Sequence, residues 1–153
     1  MQQEFGIALH VHHDILFEVC EGYTERWQFI ETNKPQEEQA IRLELLQIIP
    51  DELLPEKLQT AIEAARPIWN ELRSLDNKFI AKRESVEAKD DVKRESLFRE
   101  YRATRVLLES EYNAKCKSLR KLLEVYIPQL EILHEELCKN CPWDGDTIFR
   151  RKR

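Results

Sequence analysis

Apolar residues recur at spacings of three and four over most of this chain, and that period predicts helices. Ile15, Leu16, Val19, Tyr23, Trp27 and Ile30 fall on one helical face of a first segment, from about Ile7 to Thr32. Gly22 lies inside it and either splits it into two helices or is tolerated at ~1 kcal/mol. The His-rich residues just before Ile15 read as a short strand or as the first helical turn. Asn33-Lys34-Pro35-Gln36-Glu37-Glu38 opens a second helix. Its proline has no N–H to leave unpaired, and its glutamates suit the positive end of the helix dipole. Ile41, Leu45, Ile48 and Ile49 give that helix its apolar face, and Pro50-Asp51 ends it. A third helix follows Pro55 with Leu58, Ile62 and Ala65 on one side. Residues 1–66 therefore read as a small helical bundle, with Trp27, Phe29, Leu46 and Leu53 available to its core.

From Pro67 to Ile127 there is no proline and no glycine. Residues 67–127 predict a long coiled-coil-like helix of about 90 Å, or a hairpin of two helices, at ~1.5 Å per residue. An eleven-residue repeat runs through it. One column holds Phe79, Asp90, Tyr101 and Tyr112, a second Val86, Leu97, Leu108 and Leu119, a third Ala81, Val92, Ala103 and Ala114. Eleven residues make three turns at ~3.67 per turn, so the stripe runs nearly straight along the helix. A seam this narrow buries too little to hold a lone helix. It needs a second helix, from the same chain or from a second copy in a homodimer. Phe79, Val86, Leu97, Tyr101, Leu108, Tyr112 and Leu119 are thus the expected interaction residues for self-association or a protein partner. The plainer alternative is a spacer with a solvated face. Asp90 breaks the stripe and marks the turn if the segment folds back.

Composition narrows the class. The chain has 153 residues, 42% hydrophobic and 35% charged, with a net charge of −5 and only three glycines. A turn-rich sandwich or barrel needs more glycine, so the expected fold is all-α. No apolar run approaches the ~18 residues of a membrane span, and the N-terminal residues have no signal-peptide pattern. A cytoplasmic protein is expected. A net acidic chain is a poor general binder of nucleic acid, although Arg83, Arg94 and Arg105 recur every eleven residues and Arg150-Arg151-Lys152-Arg153 is wholly basic. Those arginines keep a nucleic-acid-binding accessory protein as an alternative, against a solvated face and a tail that aids solubility.

The candidate chemistry lies near the two termini. Residues 128–153 continue the helix through Leu130, Leu133 and Leu137, then carry His134, Cys138 and Cys141. His134 and Cys138 are four apart and share a helix face, and Cys138 and Cys141 have the two-residue gap of a metal knuckle. His13 is the expected fourth ligand of a zinc ion, with His10 and His12 as alternates. Inert thiols and a redox pair are the competing readings of the cysteines. The redox pair is disfavoured because the pair ends a helix, where the dipole raises thiol pKa. His10, His12, His13 and Asp14 also offer the alternative of a metal-dependent hydrolase. The chain has no phosphate-binding glycine loop and no nucleophile elbow, so no catalytic residue is assigned.

Glu100-Tyr101-Arg102-Ala103 and Glu111-Tyr112-Asn113-Ala114 precede Cys138-Lys139-Asn140-Cys141-Pro142-Trp143-Asp144-Gly145-Asp146-Thr147-Ile148-Phe149. In this the chain resembles uncharacterised small proteins of bacteria and their phages, in which Glu-Tyr-x-Ala helical repeats lead to a terminal Cys-x-x-Cys-Pro-Trp-Asp-Gly-x-Thr-Ile-Phe segment. The resemblance covers roughly the last third and weakens at Asp90 and Val92. It implies phage or mobile-element cargo, and an accessory protein that binds and modulates a host factor. It carries no catalytic role to any residue here.

Overall fold

In the computed structural model, which describes residues 2–149, the chain begins with strands. Phe5–His12 (β1) and Ile15–Glu21 (β2) form an antiparallel hairpin. Tyr23–Asn33 (α1) and Gln36–Leu45 (α2) follow. Gln47–Ile48 (β3) then pairs with the other edge of β1, giving the sheet order β2-β1-β3. A short 3-10 turn at Asp51–Leu53 leads to two long helices, Glu56–Ser85 (α3) and Asp91–Leu137 (α4).

The all-α expectation is therefore corrected: the protein is mostly helical but carries a three-stranded antiparallel sheet at its N-terminal end. Both faces of the hairpin are buried in places, so its apolar residues do not alternate cleanly. A strand buried on both sides supplies enough apolar positions to imitate helical spacing. Gly22 does not split a helix; it joins β2 to α1. Its φ of 90° lies in the left-handed region, where glycine bears no Cβ penalty. Gly22 N and Tyr23 N both donate to the Glu4 carbonyl, at 2.9 and 3.1 Å, which closes the corner.

Prolines mark three boundaries, Pro50 standing before the 3-10 turn, and miss two. Pro35 and Pro55 stand immediately before α2 and α3. Pro67 and Pro128 lie inside α3 and α4, and neither ends its helix. An interior proline costs about 3 kcal/mol, which is less than the packing of a helix of 30 or 47 residues can offset.

The chain divides into two compact units, one joining the residues through Thr60 with those from Leu119 onward, the other being Ala61–Ser118. In the first unit Ala8, Val11, Cys20, Ile30, Leu46 and Ile48 form one buried cluster, against which Tyr23, Trp27 and Leu43 pack. Ile7, Leu9, Ile49, Leu58, Leu119, Leu130 and Ile148 are also buried. Burying each of the larger side chains contributes roughly 1.5–3 kcal/mol. Of the expected bundle core, Leu46 is buried and Trp27 packs on the cluster, while Phe29 and Leu53 remain exposed.

In the second unit α3 and α4 face one another as a hairpin, one of the two forms the repeat allowed. Asp90 precedes α4, and its Oδ1 accepts from Lys93 N at 3.0 Å. The residue that broke the stripe is thus a helix N-cap. Along α4, Leu97, Tyr101, Arg105, Leu108, Tyr112 and Cys116 are half-buried or buried, in steps of four, four, three, four and four. That is the eleven-residue period itself. The Phe79 ring stacks on Tyr101 with centroids 4.1 Å apart. The Tyr101 hydroxyl donates to Asp76 Oδ1 at 2.6 Å, and Arg105 Nε donates to that hydroxyl at 2.9 Å. Val86 is half-buried at the connection, and Leu119 is buried in the first unit. Among the described residues no helix is long and apolar enough to cross a membrane. The basic run Arg150–Arg153 lies outside the described residues.

Candidate metal centre

A break in strand pairing starts the site. β1 and β2 pair regularly from Phe5–Glu21 to Leu9–Phe17, and the register then jumps to His12–Ile15. The irregularity falls on His10, whose φ of 54° is in the left-handed region. A bulge of this kind re-aims a side chain that strict alternation would send to the opposite face. Ala8 and Val11, three apart, accordingly share one buried cluster and His10 does not belong to it. Left-handed backbone costs a non-glycine residue about 1–3 kcal/mol and recurs at functional positions.

The C-terminal half of the site is built by the end of α4. His134 lies one turn before the helix ends, and Cys138 N donates to the His134 carbonyl at 2.8 Å, so Cys138 still follows the helical path. Asn140 then takes a left-handed φ of 62°, which turns the chain and returns Cys141 towards Cys138. Asparagine is among the few non-glycine residues that enter this region readily.

These elements bring His10, His134, Cys138 and Cys141 together, with one ligand atom from each lying within 4.8 Å of all the others. His10 Nε2 is 3.2 Å from the Cys141 sulfur and 3.8 Å from the Cys138 sulfur. Both histidines are buried and both cysteines half-buried. The His10 ring meets His134 edge-on, with Trp143 on another side, and Phe17 meets His134. This apolar wall sets the electrostatics. Burial, followed by the charge of His134, lowers the His10 pKa to about 4. Burial also lowers that of His134, against Glu135 and Glu131. Burial, then a hydrogen bond and charge from Cys141 and the charge of Glu44, pushes the Cys138 thiol up to about 12. Without a cation the set is thus held as neutral imidazoles beside a protonated Cys138 thiol. His134 Nε2 is buried with no hydrogen-bond partner, and a neutral imidazole nitrogen in that state is a donor for a metal.

The four residues can hold a metal ion. Two thiolates and two imidazoles are the donor set of tetrahedral zinc sites. Zn–S near 2.3 Å and Zn–N near 2.0–2.1 Å place tetrahedral ligands about 3.3–3.8 Å apart. Shifts of about 1 Å bring the widest pair here within that span.

Three of the four residues, His134, Cys138 and Cys141, belong to the sequence-based set, and the fourth is His10, named there as an alternate to His13. His13 lies elsewhere. Its Nδ1 is 3.3 Å from Thr147 Oγ1, and its carbonyl accepts from Ile148 N at 3.0 Å. His12 pairs with Glu18 across the hairpin. Among the described residues, His12, His13 and Asp14 enter no group of metal-ligating side chains. The spacing of His10 carries no sign of its role, because the bulge that aims it is a property of the paired strands. The terminal Asp-Gly segment also has a local role. Asp144 Oδ1 accepts from Asp146 N and Thr147 N at 2.9 and 2.8 Å, and Gly145 takes a φ of 96°. Ile148, which follows this turn, is buried in the core.

No family model, curated protein or solved structure matches the chain.

Proposed function

We propose that this chain is a non-enzymatic helical interaction protein whose first unit is locked by a bound zinc ion. It engages a protein partner, or a second copy of itself, through the outer face of the repeat helix. The convergence of His10, His134, Cys138 and Cys141 carries this reading. Four protein donors complete a tetrahedron and leave no position for substrate, which is the pattern of structural zinc. Bound there, zinc would supply cross-linking of β1 to the end of α4 and no chemistry of its own.

The interaction half of the proposal draws on the surface of α4. The seam residues Tyr101, Leu108 and Tyr112 face inward and are occupied within the fold. Away from the seam Val106 and Leu107 are exposed at 55% and 74%, and with Ala103 and with Phe98, whose ring also meets Phe79, they line a shallow groove. Apolar side chains clustered on one exposed helix face favour contact with another protein. The accessory role implied by the terminal-segment resemblance fits this arrangement and is part of the proposal.

Two measurements test it. Elemental analysis of protein purified without chelator should give one zinc per chain, falling below a tenth in Cys141→Ser. Absence of zinc from the unaltered protein overturns the locked-fold half. Sedimentation of the zinc-loaded protein alone, and with candidate partners, should reveal association that Leu107→Glu weakens at least tenfold. Association unchanged in that variant removes the repeat helix from the binding role.

A further inference from the structure

The two halves of the candidate centre differ in exposure. His10 and His134 are buried and form its inner side, with Trp143 and Phe17 against their rings. Cys138 and Cys141 are half-buried, and Lys139 and Asn140 between them are exposed. A small solute arriving from water therefore meets the sulfurs before the imidazoles.

The cysteines are also placed to bond to each other. Residues 139 and 140 form a turn, and Asn140 takes its left-handed φ there. A turn brings its first and fourth α-carbons within about 7 Å, and a disulfide bridges α-carbons about 4.4–6.8 Å apart. The two sulfurs lie within 4.8 Å of each other. Cys20 and Cys116 are buried and stand outside this group. One bond is thus within reach, and it falls wholly in the turn that follows α4. Metal alters the chemistry of these sulfurs, because coordination deprotonates a thiol outright. The helix dipole that opposes a free thiolate at the end of α4 does not govern a zinc-bound one. A thiolate is the form that attacks oxidants.

We propose that the centre is a peroxide-sensitive lock, in which a hydroperoxide joins Cys138 to Cys141 and expels the zinc. This rests on the structural-zinc reading above. With hydrogen peroxide, one thiolate attacks a peroxide oxygen and the O–O bond breaks. The departing hydroxide takes a proton and leaves as water. The second thiolate attacks the resulting sulfenic acid, the S–S bond forms, and a second hydroxide takes a proton and leaves. Two thiolates, one peroxide and two protons give one disulfide and two waters. The sulfurs lose two electrons, the peroxide gains them, and zinc stays divalent. His10 and His134 then remain as the only donors, two short of a tetrahedron. The metal departs, and the link from β1 to the end of α4 goes with it. A dithiol reductant reverses the bond by exchange.

The test treats the zinc-loaded full chain with hydrogen peroxide while a chromogenic chelator reads released metal. Expected is loss of zinc in step with two of the four thiols, a mass smaller by two hydrogens, and a Cys138–Cys141 bond in the peptide map. Dithiothreitol with added zinc should restore the metal. Cys20→Ala, altered in the core away from the centre, should respond as the unaltered chain does. Zinc that stays bound through peroxide overturns the proposal. So does zinc loss with oxygen added to the sulfurs and no disulfide, or a bond that involves Cys20, Cys116 or a second chain. Those outcomes leave the structural-zinc reading standing, whereas a chain that never holds zinc overturns both.

Discussion

The Cys141 sulfur lies 3.2 Å from His10 Nε2, although 131 positions separate the two residues in sequence. It joins β1 to the segment that follows α4, within the candidate centre of the first unit.

Removing metal should therefore loosen the first unit as a whole. Zinc at 100–1,000 times its dissociation constant stabilises a fold by about 2.7–4.1 kcal/mol. For a chain of this size that is a fall in Tm of about 5–16 °C on chelation. Calorimetry with and without a chelator measures it, and an unchanged Tm would remove the structural role of the metal. Because burial keeps the Cys138 thiol protonated without a cation, metal uptake should release protons, detectable by titration calorimetry in buffers of different ionisation enthalpy.

His10 and His13 should separate cleanly. His10→Ala deletes a donor and should lower zinc affinity by at least tenfold. His13→Ala deletes the contact with Thr147 Oγ1 and the ring contact with Phe149, and no candidate ligand. It should keep full zinc content and cost about 0.5–1.5 kcal/mol, the worth of one hydrogen bond. Zinc content lost in His13→Ala but kept in His10→Ala would reverse the assignment of the ligands.

Cys20 gives a pH prediction independent of the metal. Its thiol is buried in the core, and desolvation, followed by the charge of Glu4, raises its pKa from 9.0 to about 11. Between those values the unfolded chain has lost this proton and the folded chain still holds it. Folding stability from this group is therefore complete below pH 9 and declines as pH rises through about 11. Denaturant midpoints measured from pH 8 to 11 should fall, and Cys20→Ala should flatten the decline. Cys20 should also resist alkylation at pH 8 until the protein unfolds.

The eleven-residue period was legible because it is a physical property of a long helix pair. Leu97, Leu108 and Leu119 recur at that interval, and the structure turns each of them inward. Asp90 was legible as the break in the stripe, since a polar residue in an apolar column has few uses other than a cap or a turn. The hairpin of β1 and β2 was not. Ile15 and Val19 of β2 fall in phase with Tyr23 and Trp27 of α1 by chance, and nothing local distinguishes a two-sided strand from a buried helix turn. The Cys138–Cys141 knuckle and His134 stood out by spacing. The choice of His10 over His13 turned on a bulge that exists only once β1 and β2 have paired.

Tyr101 offers a direct check on the helix pair. Its hydroxyl donates to Asp76 and accepts from Arg105, and its ring stacks on Phe79. Tyr101→Phe retains the stack and removes the hydroxyl, at an expected cost of about 0.5–1.5 kcal/mol in a half-exposed setting. Phe79→Ala removes the stack and should cost more than Tyr101→Phe. Equal or absent losses in chemical denaturation would mean that this contact does not hold α3 against α4.

The distance in sequence between His10 and Cys141 also sets an order of events at the ribosome. At ~5–20 residues per second, synthesis of the intervening 131 residues takes about 7–26 s. Through that interval the cysteines that face His10 in the folded chain have not yet been made. If the proposed centre binds zinc, capture can be completed only after Cys141 is made, so a product cut short before Cys141 should bind zinc more weakly than the full chain.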